Sequence, residues 1–167
     1  MKKIIGLVII ASLVLVGCGG DKVVGQQNPP KTNTPFEEPT GELANKTWIS
    51  PGVVEIGNFE SGNEAEWILK IHNGNKIPTA FTVTYRIPGN TSEGFSMPPS
   101  SAQIWVTISE TTPLIAAGET KDILVNLKVP SGARNIQPKW EFWVSVVEKS
   151  DAMIQTELCS RWRITMK

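Results

Sequence analysis

From about residue 47 onward, seven runs of alternating apolar and polar residues follow one another, separated by Gly, Pro, Asn and Ser. A period of two predicts strands with one buried and one wet face. The first run covers about 52–59, with Val54 and Ile56 on one parity. The second, 65–72, sets Trp67, Leu69 and Ile71 against Glu66, Lys70 and His72. The third, 80–87, sets Phe81, Val83, Tyr85 and Ile87 against Thr82, Thr84 and Arg86. The fourth, 103–109, sets Ile104, Val106 and Ile108 against Trp105 and Thr107. In the fifth, 121–129, Ile123, Val125, Leu127 and Val129 oppose Leu124, Asn126 and Lys128. In the sixth, 139–147, Trp140, Phe142, Val144 and Val146 oppose Glu141, Trp143 and Ser145. In the seventh, 155–166, Leu158, Trp162, Ile164 and Met166 oppose Glu157, Arg161 and Arg163. A loop over 90–101 contains Pro98-Pro99 and has room for a short edge strand near 94–96. No long stretch shows helical spacing between capping signals, so no helix is predicted.

A stretch of about 120 residues suits one domain with its own core. Seven antiparallel strands in that length describe an all-β fold, a single immunoglobulin-like sandwich over 47–167. A closed barrel or jelly roll is the alternative. The phrases Gly57-Asn58-Phe59-Glu60-Ser61-Gly62 and Trp67-Ile68-Leu69-Lys70-Ile71-His72-Asn73-Gly74-Asn75 resemble the first two strands of prokaryotic Ig-like surface domains. Ile115-Ala116-Ala117-Gly118-Glu119-Thr120, followed by the strand from Ile123 to Pro130, is similar to their middle turn and strand. The resemblance implies a two-sheet sandwich. The Cys…Trp…Cys pattern of antibody domains is absent, so the core between the sheets must be apolar.

The chain before residue 47 lacks this pattern. Met1-Lys2-Lys3 is a positive start, and Ile4 to Val16 is apolar apart from Gly6 and Ser12. As a helix this run spans only about 20 Å, short of a hydrocarbon core about 30 Å thick. It fits the apolar region of a signal peptide. The next residues, Leu15-Val16-Gly17-Cys18, resemble the lipobox of bacterial lipoproteins. That resemblance implies cleavage before Cys18 and a diacylglyceryl group on its sulfur. It implies a chain held by lipid on the cell membrane or outer membrane, facing the periplasm or the exterior. Two or more acyl chains anchor stably, at about 0.8 kcal/mol per buried methylene. Residues 1–17 then form the signal peptide, and 18–46 the lipidated cysteine and its tether. The tether is Gly-, Pro-, Asn- and Thr-rich, with too few apolar residues to build a core. A flexible chain of that length spans on the order of 30 Å.

Lys+Arg and Asp+Glu both number 16, and losing Lys2 and Lys3 with the leader leaves 14 against 16. With no basic cluster, nothing suggests nucleic acid as a partner. If Cys18 carries lipid, Cys159 is the remaining thiol and no disulfide can form within the chain. Parity puts Cys159 outward beside Arg161 and Arg163, whose charge would lower a thiol pKa.

His72 is the one histidine. Its parity places it on the wet face, next to a turn at 73–75, and a His-based triad or multi-histidine zinc site is excluded. Phosphate-binding glycine motifs are absent. Glu64 with Glu66, and Glu37 with Glu38, read as solvated carboxylates rather than an acid–base pair. Asp occurs at 21, 122 and 151, too sparsely for a calcium site. The expectation is therefore no enzyme, no cofactor and no metal.

The six tryptophans carry more information. Trp67, Trp140 and Trp162 fall on the core parity, where each buries on the order of 200 Å². Trp105 and Trp143 fall on the outer parity. In immunoglobulin strand order, Trp105 lies beside Leu124 as an exposed apolar pair, and Trp143 lies beside Arg86, Arg161 or Arg163 for cation–π stacking. Trp105, Leu124 and Trp143, with the loop at 90–101, are the candidate partner surface. A protein of the cell envelope is the first expected partner, and a carbohydrate gripped by the exposed tryptophans the second.

Overall fold

The computed structural model describes residues 40–150 and 155–167. The leader, Cys18 and residues 19–39 of the tether lie outside the described residues. Among these residues a 3-10 turn at Gly41–Asn45 precedes nine strands. These are β1 (Trp48–Ser50), β2 (Val53–Phe59), β3 (Glu64–His72), β4 (Thr79–Arg86), β5 (Val106–Ile108), β6 (Leu114–Ile115), β7 (Thr120–Lys128), β8 (Lys139–Glu148) and β9 (Glu157–Met166). Two sheets result, ordered β1-β3-β7-β5 and β2-β9-β8-β4-β6. The fold is the expected all-β, immunoglobulin-like sandwich.

Each of the seven alternating runs contains a strand. The two additional strands, β1 and β6, are three and two residues long, too short for alternation to show. One expectation is corrected: the strands are not all antiparallel, because β2 pairs with β9 in parallel. The cause is β1, which pairs with the end of β3 before the chain crosses to the other sheet at Pro51 and Gly52. The crossing is pinned from β9. Ser160 Oγ donates to the Pro51 carbonyl at 2.7 Å, and the Arg161 amide donates to Gly52 at 2.9 Å.

The core is a chain of rings. Trp105 meets Trp140 edge-on at 6.3 Å, Trp140 lies 5.9 Å from Phe142, and Phe142 stacks on Trp162 at 5.5 Å. Trp162 then meets Trp67 edge-on at 5.7 Å. Pairs at such spacings add about 0.5–1.5 kcal/mol beyond their area burial. They compensate for a sandwich with no disulfide among its described residues.

The turn at 73–75 is structural. Asn73 is fully buried, and its Nδ2 donates to the carbonyls of Ile77, Ile115 and Ala116 at 2.9, 3.0 and 3.1 Å. It thereby ties the end of β3 to β6. Gly74 has no room for a side chain, because a Cβ there would sit 2.2 Å from the Lys46 carbonyl carbon. The entering chain therefore lies directly on this turn.

Candidate interaction surface

The outward face of the four-stranded sheet is built from alternate residues of β3 and β7. Their register sets Glu64 opposite Lys128, Glu66 opposite Asn126, Ile68 opposite Leu124 and Lys70 opposite Asp122. The outer rows are charged and paired: Lys128 reaches Glu64 at 3.0 Å and Lys70 reaches Asp122 at 3.0 Å. Asn126 donates to the other Glu64 oxygen at 2.6 Å. Hydrogen bonds from Lys128 and Asn126 hold the Glu64 carboxyl below its ordinary pKa. Between these rows Ile68 and Leu124 form an apolar cross-strand pair, 50% and 37% exposed. At the Glu64–Lys128 end of this face lies an open groove of about 570 Å³, with apolar lining from Ile104, Trp105 and Pro130 and polar lining from Glu64, Thr107, Asn126 and Lys128.

Leu124 is thus outward as expected, but Trp105 is not its partner. Ala102–Trp105 is a 3-10 turn, and β5 begins only at Val106. Three residues per turn put Ala102 and Trp105 on one side. Both are buried, at 0% and 7%, while Ile104 turns out to solvent at 82%. Alternation assigned Ile104 to the core and Trp105 to the surface, and the change of period reverses both. Ile68 takes the place expected of Trp105.

On the five-stranded sheet the outward face is covered around Glu141, while Thr84, Arg86 and Arg161 stay exposed. Where β4 ends opposite Trp143, the chain loops back and Ser96 bridges in parallel to Trp140. This is the expected short edge element, reduced to a single bridge. The returning segment buries Glu141, which is 1% exposed although it lies on the outward parity. Glu141 accepts hydrogen bonds from the Trp143 indole N–H at 2.6 Å and the Ser92 amide at 3.2 Å, with Arg163 Nε at 3.5 Å. Arg163 also donates to Ser92 Oγ at 2.8 Å and to Glu55 at 3.1 Å, and its guanidinium lies 5.7 Å from the Phe95 ring centre. Burial alone would raise the Glu141 pKa. The bonds from Ser92 and Trp143, with the charge of Arg163, outweigh it and hold the carboxyl below its ordinary value.

Trp143 is half-buried in this network. Its strand neighbours are Arg86 and Arg161, as parity suggested, and Arg161 lies 5.7 Å from its ring centre. Two other expectations are corrected. His72 is buried rather than wet: β1 brings Trp48 against it, stacked at 5.0 Å, and it shares a 3.1 Å hydrogen bond with Thr120. The Cys159 pKa is raised rather than lowered. Burial and the neighbouring Glu157 outweigh Arg86 and Arg161, so the thiol stays protonated near neutrality. Among the described residues, no three His, Cys, Asp or Glu side chains cluster as metal ligands. No helix among them is long and apolar enough to cross a membrane.

No family model matches the chain, and no curated protein matches it. Solved structures do. The PapD-like domain 7 of human CEP192 superposes with a TM-score of 0.56 at 12% identity, covering 83% of this chain and 98% of that one. A structure of a chaperone–tip adhesin complex of CFA/I fimbriae biogenesis gives 0.51 at 13%, covering 73% and 57%, and the class 5 fimbriae chaperone CfaA gives 0.50 at 12%, again covering 73% and 57%. The chain therefore spans somewhat over half the length of these chaperone-related chains. At such identities the likeness is one of fold, an immunoglobulin-type sandwich.

Proposed function

We propose that the chain is a lipid-anchored, extracytoplasmic lipoprotein whose sandwich is a non-catalytic protein-binding module. The anchor reading rests on Leu15-Val16-Gly17-Cys18 behind a short apolar run. The binding reading rests on one observation above all, the open Ile68–Leu124 pair framed by Glu64–Lys128 and Lys70–Asp122. An apolar centre within a polar rim is the anatomy of a protein contact patch. A sandwich of this fold stands in a chaperone–adhesin complex, which lends support by analogy of fold. The carbohydrate reading is weakened, since Trp105 is buried and the Trp143 indole is held by Glu141 and Arg161. The contact surface is accordingly redrawn as Ile68, Leu124 and Ile104.

The test uses a photo-crosslinking residue at position 68 or 124 of the full chain in intact cells. A discrete crosslinked product is expected from both positions, and none from Thr84 on the other sheet. Cys18→Ser is expected to leave the membrane fraction. Unchanged membrane partition of Cys18→Ser removes the anchor, and the absence of any product at 68 and 124 removes the binding face.

A further inference from the structure

The flank of β3 is only half occupied. β7 pairs with all of Glu64–His72, while β1 covers only Lys70, Ile71 and His72 on the other side before crossing away. Beside Glu64–Leu69, among the described residues, a neighbouring strand position about 20 Å long stands unfilled, at about 3.3 Å per residue.

The phase of the ladder says which groups face that position. At one end Asn73 N donates to Glu119 O, and at the other Val129 N donates to Asn63 O. Odd residues of β3 therefore bond toward β7, and even residues point the other way. At Lys70 and His72 those groups meet β1. At Glu64, Glu66 and Ile68 the N–H and C=O groups make no backbone hydrogen bond on that flank among the described residues.

The side chains agree. Where β1 covers the flank, inward-facing Ile71 is fully buried, as is Leu69 at the boundary. Where it does not, inward-facing Ala65 and Trp67 are only half-buried. On the outer side stand Glu64 and Glu66, both exposed. The position thus has an apolar floor, three pairs of backbone groups with no backbone partner among the described residues, and an acidic rim.

We propose that this flank accepts an extended segment of a partner protein, running antiparallel to β3 in line with β1. The segment alternates apolar residues, which cover Ala65 and Trp67, with Lys or Arg, which face Glu64 and Glu66. Strand addition of this kind takes its affinity from main-chain hydrogen bonds and its selectivity from alternate side chains. The inference rests on the proposed binding role and names its mode.

The probe is a heptapeptide alternating Lys and Val, titrated against the full chain in detergent and followed by Trp fluorescence and amide exchange. Saturable binding is expected, with the amides of 64, 66 and 68 passing from fast to slow exchange while those of 65, 67 and 69 stay slow throughout. Replacing Lys by Glu in the peptide weakens binding. Glu66→Pro blocks the flank without touching the β7 ladder, since Pro is tolerated where the strand N–H faces solvent. Losing the hydrogen bonds at that residue should weaken binding by about tenfold or more. No saturation, equal binding by Glu66→Pro, or unchanged exchange at 64, 66 and 68 overturns the inference; the exchange readout holds even if Glu66→Pro folds poorly. A photo-crosslinker at 66 that links two copies of this chain overturns it as well, assigning the flank to self-association. If the edge fails while positions 68 and 124 still crosslink a partner in cells, the binding role stands without this mode; if those products vanish too, both fall.

Discussion

On the five-stranded sheet Glu141 of β8 is roofed by the chain that follows β4, and Glu141 and Arg163 meet with side chains 1% and 24% exposed. On the four-stranded sheet Lys70 and Asp122 meet at a shorter distance, yet 37% and 52% exposed. The residue types are alike and their energetic roles differ. A buried carboxylate must keep all its donors, since removing one partner of a buried pair costs several kcal/mol. An exposed pair contributes about 0–1 kcal/mol. One face uses its charges to hold a segment down; the other leaves its surface open.

The largest effect should come from Trp105, which belongs beneath the open face rather than on it. Trp105→Ala is expected to destabilise by about 3–5 kcal/mol in denaturant unfolding. A loss under 1 kcal/mol would return the indole to the surface. Glu141→Ala should cost about 2–3 kcal/mol, because the Trp143 and Ser92 N–H groups and Arg163 lose their acceptor. On the open face Lys70→Ala should cost under about 1 kcal/mol; similar losses at 141 and 70 would erase the contrast.

Acid sharpens it. The Glu141 pKa is below its unfolded value, so its contribution is complete above about pH 4.3 and disappears as pH falls through the folded value. Between pH 5 and 3 the parent's Tm should therefore drop more than that of Glu141→Gln. Equal slopes would mean the folded carboxyl titrates normally. The smallest effect on stability is expected at the contact patch. Ile68→Lys with Leu124→Glu, which keeps opposite charges across the pair, should stay within about 0.5 kcal/mol of the parent, typical of surface positions, yet abolish crosslinking from Ile104 in cells.

The strands were legible because burial on one face forces a period of two, and Val54, Leu69, Val125 and Trp162 all lie where that period puts them. Other features were hidden for physical reasons. β1 carries too few residues to alternate, and without it His72 reads as wet. Trp105 sits in a three-per-turn segment, where parity does not apply. Glu141 and Ser145 read as solvated from their strand parity, but both are buried. For Glu141 the cover comes from a loop whose path no local pattern reveals. Ile68 was legible in principle: it lies between Trp67 and Leu69, and an Ile on a polar parity is a mark of exposed apolar surface.

The parallel pairing of β2 with β9 also determines how the domain bears load. Tension entering upstream of Thr47 draws β1 and β2 lengthwise past their neighbours, so their interstrand bonds are strained together in shear instead of parting one by one. In a single-molecule pull from the two chain ends, β2 and β9 should let go abruptly, at a higher force than the same sandwich pulled across its sheet.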